Sequence, residues 1–536
     1  MNIDCWLNDS LERVYKWTDS KATNSLQLDL ARNDRGSFQV CMRKNTEGMV
    51  ISDIEVKCPN GIKVEVRSVG HIPVPHFNTE TDKSELVGNL PAYVPDPLFS
   101  DLDLQLSYGE TNSYWVTVKT DKDTRPGVYP INISIRVNDE IISKLTTNIN
   151  VYSLLIKDRA NFPVTHWLYA DALCDWYECE PFKGEFWDIV GLYIKDLVEH
   201  GINTIFSPIF TPPTDGVKRP NQLLKIRKDS NQKYVFDWSD VQKWIDLARS
   251  VGMEYFEWSH LFSQWGVENA IRIYENYDGK YSDSLLWPPE TLADSQTYRN
   301  FLSQFLPEFK EFLQEEEILD KSFFHLSDEP HGEEHLKNYQ TARAILKDLA
   351  PWMEIMDALS EKEFAEKGLT DMPIASIRSS LEFKEANIPH WDYFCCGPRG
   401  KYLNRLMDTP LAKIKGSGWL FYRFESLGFL HWGYNYWYKS QTRELIDPYS
   451  VSDGGAWPNW AYGDTFVVYP GESGPIDSIR WEIFAESLKD YALLQTLNLE
   501  NSSTILSSFN SYQNYPKSAE WYRTNRTLLL EKKGTI

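Results

Sequence analysis

Residues 186–207, FWDIVGLYIKDLVEHGINTIFS, decide the fold. Phe186 to His200 places apolar side chains at helical spacing, and Gly201 closes the helix because it tolerates a left-handed cap. Asn203 to Ser207 then reads as a short buried strand. The same succession returns at 241–258, VQKWIDLARSVGMEYFEW: a helix over Val241 to Val251, a closing Gly252, and a strand over Tyr255 to Trp258. Helix and strand alternating in this way imply parallel strands joined by right-handed crossovers.

Working outward, Val164 to Leu168 reads as the first strand of the series. Thr297 to Glu316 is a helix before the strand Ser322 to Leu326, and Glu334 to Leu349 a helix before the strand Met353 to Asp357. Tyr393 to Cys396, Gly418 to Tyr422 and Gly428 to Tyr434 supply the last three strands. Eight such units over about 270 residues fit a closed barrel better than an open sheet. Upstream the pattern is different. Short alternating runs (Ser37 to Met42, Ile54 to Cys58, Ile62 to Val66, Tyr114 to Lys119, Ile131 to Val137, Thr147 to Tyr152) are separated by turn residues and read as a β-sandwich. The expected architecture is multidomain: an N-terminal all-β sandwich (1–157), a (β/α)8 TIM-like barrel (158–470), and a C-terminal helical segment (471–536) packed on the barrel, with Asp477 to Leu497 its main helix.

The chain of 536 residues has a formal net charge of −22, which repels nucleic acid and anionic membranes. No run is long and apolar enough to span a bilayer, and the first residues show no basic then apolar leader. The sequence reads as cytoplasmic, or as a secreted protein whose leader has been removed. Seven scattered cysteines read as reduced thiols, and Cys174 with Cys179 lacks the second pair that zinc needs. No metal-binding histidine spacing, P-loop, dinucleotide fingerprint or nucleophile elbow occurs, so no cofactor and no metal are expected. Aromatic residues make up 14% of the chain. Large aromatic cores account for this, and so does a groove in which flat rings stack on sugars.

In a barrel of this kind the chemistry gathers where the strands end. The segment Phe323-Phe324-His325-Leu326-Ser327-Asp328-Glu329-Pro330 runs from an apolar strand into two acids. Neighbours on a regular strand face opposite ways. Asp328 and Glu329 therefore share one cleft only if the strand has ended, which Pro330 and Gly332 favour. Glycosidic cleavage needs a proton for the leaving oxygen and stabilisation of positive charge at the anomeric carbon. An adjacent pair suits a substrate that brings its own nucleophile. The amide oxygen of a 2-acetamido sugar attacks the anomeric carbon, giving an oxazolinium ion, while one carboxylate holds the amide N–H and the other serves as acid and then base. Loop solvation or capping of the following helix is the structural alternative for the same two residues.

Several blocks together resemble glycoside hydrolase family 123 and the wider group called domain of unknown function 4091. They are Pro95-Asp96-Pro97-Leu98, Tyr114-Trp115-Val116-Thr117-Val118 with Pro126-Gly127-Val128-Tyr129, His260 with Trp265-Gly266, Ser327-Asp328-Glu329-Pro330, and Gly428 through Trp437. Tyr469-Pro470-Gly471, Ser478 through Glu482, and Asp490-Tyr491 complete the order. The resemblance implies a retaining, substrate-assisted β-N-acetylgalactosaminidase in which Asp328 orients the 2-acetamido group and Glu329 is the general acid/base. The expected partner is a carbohydrate, an oligosaccharide or glycoconjugate.

Strand ends supply the remaining expected substrate contacts: His166 and Trp167, Asn203, His260, Asp357, Tyr422, Trp432, Asn435 and Trp437. Each has a structural alternative. His166 and Trp167 can be a capped rim pair, Asp357 can pair with Arg378, and the others can be barrel core. Arg480 and Glu482 read as a structural ion pair. Two further functions stay open at this point: a glycosidase of other specificity with a distant carboxylate such as Asp357 as nucleophile, and a carbohydrate-binding protein without turnover.

Overall fold

The computed structural model describes residues 2–23, 26–78, 85–86, 88–213, 220–275 and 284–532. The N-terminal strands form two five-stranded sheets. One runs Ile3–Asp9, Arg35–Lys44, Thr111–Thr120, Ile62–Val74, Ala92–Phe99; the other runs Gln27–Arg32, Glu140–Leu155, Gly127–Val137, Met49–Lys57, Leu104–Ser107. Ile131, Ile133 and Ile135 alternate inward and meet Phe38, Val40, Tyr114 and Val116 of the facing sheet. Thr111–Thr120 is buried almost throughout because it has two covered faces. Val116 and Val118 fill the sandwich, while Trp115 joins the barrel's core cluster.

Eight parallel strands follow: β1 (Val164–His166), β2 (Thr204–Ser207), β3 (Tyr255–Trp258), β4 (Ser322–Phe324), β5 (Met356–Leu359), β6 (Met372–Ser376), β7 (Trp391–Tyr393) and β8 (Phe429–His431). Their ladder runs β4-β3-β2-β1-β8-β7-β6-β5, and a single parallel bridge, Phe324 to Ile355, links its two edges. The barrel is therefore nearly closed. The helix Phe186–Glu199 ends with Gly201 at φ 85°, and Ser239–Val251 ends with Gly252 at φ 105°, whose N–H reaches the Ala248 carbonyl.

The strand assignment differs from expectation in two places. Met372–Ser376 is a strand that the sequence pattern did not reveal, because the helices on either side, Glu363–Glu366 and Ser380–Glu385, are too short to show a period. The expected strand Gly418 to Tyr422 lies in a helix, Ser417–Phe424. This apolar run packs against the helix Ile479–Thr496 so closely that a Cβ on Gly418 would lie 1.9 Å from the Ser487 carbonyl oxygen. Short apolar runs carry no period that separates helix from strand, and here tertiary packing decided.

The helix Ile479–Thr496 is buried on nearly every side and places Trp481 and Phe484 against His166 of β1. It thus forms part of the barrel wall. The C-terminal extension beyond it is modest: among the described residues its one α-helix is Ala519–Glu531, where Arg526 pairs with Asp34 of the sandwich and Asp490 of the wall helix. The sandwich and barrel are joined by buried charges. Arg480 does not pair with Glu482: it meets Asp96, while Glu482 meets Arg35 and Arg67. Among the described residues no helix is long and apolar enough to cross a membrane.

Candidate active site

A cleft opens at the C-terminal ends of the barrel strands, where barrels of this kind carry their chemistry. Trp167 follows β1, Gln264 and Trp265 follow β3, and Asp328 and Glu329 follow β4; all five line the cleft. Tyr393 ends β7, Cys395 and Cys396 follow it, and Trp432, Trp460 and Asp464 come from the long excursion after β8.

Asp328 and Glu329 face the same cleft because the chain turns between them. Glu329 takes φ 45°, a left-handed conformation that a glutamate adopts only under surrounding constraint. Its N–H donates to the Ala358 carbonyl of β5 at 3.1 Å, which pins the turn. The Tyr393 hydroxyl donates to Glu329 Oε1 at 3.1 Å, and Gln264 Nε2 donates to Asp328 Oδ2 at 3.0 Å. The Trp265 N–H donates to the Asp328 carbonyl at 3.0 Å, and Trp265 is itself left-handed at φ 63°. Trp265 is 40% exposed and lines the cleft.

Beneath the cleft lies a buried polar frame. Glu257 Oε1 accepts from Trp167 Nε1 at 2.8 Å and from His325 Nε2 at 2.8 Å, and Thr165 donates to its other oxygen. The other ring nitrogen of His325 lies 3.3 Å from Asp357 Oδ1. Burial pulls the imidazole towards neutrality, but bonds and charge from Asp357 and Glu257 outweigh it and push its pKa up to about 10. Asp357 in turn accepts the backbone N–H groups of Leu326 and Ser327 and the Tyr339 hydroxyl. One histidinium therefore joins the pocket wall at Trp167 to the turn that carries the acid pair.

The cleft holds a third carboxyl group. Asp464 accepts from Trp432 Nε1 at 3.0 Å, and burial raises its pKa to about 7 against the opposing charge of Arg405. The Nδ1 of His431 receives both Arg405 Nη2 at 2.7 Å and the Gly433 N–H at 2.9 Å. The proton of this imidazole therefore sits on Nε2, which faces Asp464 Oδ1 across 3.6 Å.

Of the residues expected from sequence, Asp328, Glu329, Trp167 and Trp432 line the cleft. The structure places the others elsewhere. His166 points out of the barrel towards Trp481 and Phe484, the neighbour of an inward-facing Trp167 on an alternating strand. Asn203 precedes β2, at the opposite end of the barrel, and accepts the Val164 N–H at 2.8 Å. His260 lies tilted against His325 below the cleft, ring centroids 4.4 Å apart, and burial and that neighbouring charge favour its neutral form. Asp357 is fully buried in the frame and does not meet Arg378; it is also no candidate for a distant nucleophile facing a sugar. Tyr422 lies on a helix and donates to the Leu499 carbonyl at 2.9 Å. Asn435 clamps the backbone of Tyr169 through both amide atoms, and Trp437 is core, donating to the Val468 carbonyl at 3.1 Å.

Gln264, Tyr393, the two cysteines, Trp460 and Asp464 were not singled out from sequence as substrate contacts. Tyr393 opened an expected strand, which was a usable signal. Asp464 lies in an aperiodic stretch with none. Among the described residues, two groups bring three potential metal donors together: His260, His325 and Asp357, and Asp196, His200 and Asp477. In each, one histidine, His325 or His200, lies between carboxylates that push its pKa up to about 10.

The arrangement resembles known proteins. The solved structure of a family 123 glycoside hydrolase from Clostridium perfringens, studied for glycolipid glycan hydrolysis, superposes with a TM-score of 0.74 at 16% identity, over 99% of this chain and 97% of that one. A Bacteroides ovatus GH5 xyloglucanase reaches a TM-score of only 0.29 at 10% identity, over 88% of this chain and 98% of its own, too remote to carry an argument. No curated protein sequence matches the chain. The family model described as glycoside hydrolase 123, catalytic domain, matches residues 167–497, which span the strand ends and both acids. The chain belongs to glycoside hydrolase family 123.

Proposed function

We propose that this glycoside hydrolase is a retaining exo-enzyme that removes terminal β-linked N-acetylhexosamine, GalNAc in particular, through an oxazolinium intermediate. The observation that carries the reading is that Asp328 and Glu329, consecutive in sequence, line one cleft through the left-handed turn at Glu329. Asp328, whose Oδ2 is anchored by Gln264 at 3.0 Å, accepts the acetamido N–H and aims the amide oxygen at the anomeric carbon. Glu329 donates its proton to the leaving oxygen, then removes one from the water that opens the oxazolinium ring. Trp167, Trp265, Trp432 and Trp460 surround the sugar with apolar faces. Glycolipid glycans, the subject of work on the Clostridium perfringens relative, are a natural source of such termini.

The test is hydrolysis of aryl β-GalNAc and aryl β-GlcNAc by wild type, Asp328→Asn and Glu329→Gln. Each substitution is expected to lower kcat/KM by about a hundred- to ten-thousand-fold, and a GalNAc-thiazoline is expected to bind wild type. Absence of both cleavage and thiazoline binding would overturn the reading. Asp464 supports a second reading, a two-carboxylate glycosidase of other specificity, because it is a separate carboxyl group in the same cleft. Under that mechanism thiazoline does not bind, and Asp464→Asn loses as much activity as Glu329→Gln.

A further inference from the structure

The cleft contains a feature that glycoside cleavage does not use. Cys395 and Cys396 are adjacent in sequence and both line it, with their sulfurs 3.8 Å apart. Both are partly exposed, whereas Cys41, Cys174 and Cys179 are buried. The loop that carries them is built rather than slack. Asn404 Nδ2 donates to the carbonyls of Cys395 and Pro398, each at 3.0 Å, and Arg399 Nε donates to the Cys396 carbonyl at 2.6 Å.

We propose that Cys395 and Cys396 form a modification site in the wall of the active cleft, which a hydroperoxide oxidant closes to a vicinal disulfide. Hydrogen peroxide oxidises one thiol to a sulfenic acid and releases water. The second thiol then displaces hydroxide from that sulfur, which leaves as a second water with the thiol's proton. The sum is two thiols and one peroxide giving one disulfide and two waters. Two electrons pass from the sulfurs to the peroxide.

Closure draws the sulfurs from 3.8 Å to a bonding distance of about 2.05 Å. The wall of the cleft therefore moves beside Glu329, and shifts of about 1 Å in such a site cost up to roughly a hundredfold in rate. Adjacent residues hold their Cα atoms about 3.8 Å apart, closer than the usual 4.4–6.8 Å of disulfides. The bond is accordingly strained, and thiols reduce it readily. The site thus offers reversible loss of turnover rather than irreversible damage.

The test uses the full chain, titrated with hydrogen peroxide, alkylated and digested. The peptide bearing both cysteines is expected to lose two hydrogens, about 2 Da, and to escape alkylation, with dithiothreitol restoring both thiols. Aryl β-GalNAc turnover of the same samples is expected to fall tenfold or more on oxidation and to return on reduction. Cys396→Ser and Cys395→Ser, each compared before and after peroxide, are expected to lose this reversible response. The proposal is overturned if both thiols still alkylate at peroxide doses that oxidise the exposed Cys58, if they end as separate sulfinic or sulfonic acids, or if the disulfide forms without changing turnover. The mass measurement needs no activity, so it reports on the thiols even where the proposed substrate is not cleaved.

Discussion

His325 beneath the cleft and His200 at the far end of the barrel have nearly the same surroundings and hold different things together. Both are buried, and in both burial is outweighed by carboxylates that push the pKa up to about 10. His200 Nδ1 lies 2.9 Å from Asp196, while its Nε2 lies 3.4 Å from Glu482 and 3.7 Å from Asp477. Glu482 also receives Arg35 and Arg67 from the sandwich, so this cluster fastens one domain to the other. The carboxylates around His325 instead hold Trp167 and the backbone of Leu326 and Ser327, two parts of the cleft. The same ionic chemistry is a staple in one place and a mould for the site in the other. What distinguishes them is the second set of groups that each carboxylate holds.

Four measurements would break or sharpen that contrast. Glu482→Gln leaves Arg35, Arg67 and His200 short of a buried partner and is expected to cost about 3–5 kcal/mol of folding stability. Its kcat/KM per folded molecule is expected to stay within about twofold of wild type. Urea titration and active-site counting check the two halves.

Glu257→Gln is expected to cost less stability, about 2 kcal/mol, because the glutamine oxygen still accepts from Trp167 and His325 and Asp357 remains beside the histidinium. Its kcat/KM is expected to fall on the order of tenfold or more, as Trp167 and the acid-bearing turn lose their common anchor. If Glu482→Gln lowers kcat/KM as much as Glu257→Gln does, the distinction between staple and mould fails.

The third measurement is stability against pH. The folded histidines titrate near 10, against about 6.5 in the unfolded chain. Their contribution is fully present below pH 6.5 and is lost as pH rises towards 10, because the native state keeps protons that the unfolded state has shed. The slope is about −1.4 kcal/mol per pH unit for each histidine in that window. Asp464 and Asp477, each raised to about 7 by burial, add a fall in the same direction between their unfolded pKa near 4 and pH 7. His325→Gln and His200→Gln are each expected to flatten the upper window by one histidine's share, read from urea midpoints at pH 7 to 9. Equal flattening with loss of turnover in His325→Gln alone is the outcome the contrast requires.

The smallest effect is expected from Tyr422→Phe. Its hydroxyl meets the Leu499 carbonyl on the outside of the barrel, so removal should cost about 1 kcal/mol of stability and leave kcat/KM unchanged. A drop in turnover would show that the back of the barrel reaches the cleft.

Much of this was legible in the residues. The glycines at 201 and 252 punctuate helices whose apolar spacing is strong, so the first strands of the barrel are legible in the sequence. The later strands could not. The connections around Met372–Ser376 are too short to show a period, and the apolar run at Ser417–Phe424 is equally compatible with helix and strand. In the cleft, strand-end position identified Trp167, Asp328, Glu329 and Trp432. Position also pointed to His166, which faces the other way, and to Trp437, which lies beyond the last strand and is buried in the core. A one-residue step along a strand exchanges the cleft for the helix layer, and sequence alone does not fix that phase when both sides are buried.

The sequence by itself determined that a β-sandwich precedes alternating helices and strands, and that two neighbouring acids end an apolar strand. These features depend on local spacing and on turn residues, which are properties of the chain. Only the tertiary structure decided which side chains share the cleft. Glu329 faces it because a left-handed turn is held by the Ala358 carbonyl and Tyr393, and Asp464 arrives there from a stretch without periodicity. The reason is physical: convergence depends on contacts between residues distant in sequence, and neither the phase of a buried strand nor the path of an irregular loop is encoded in the spacing of its own residues.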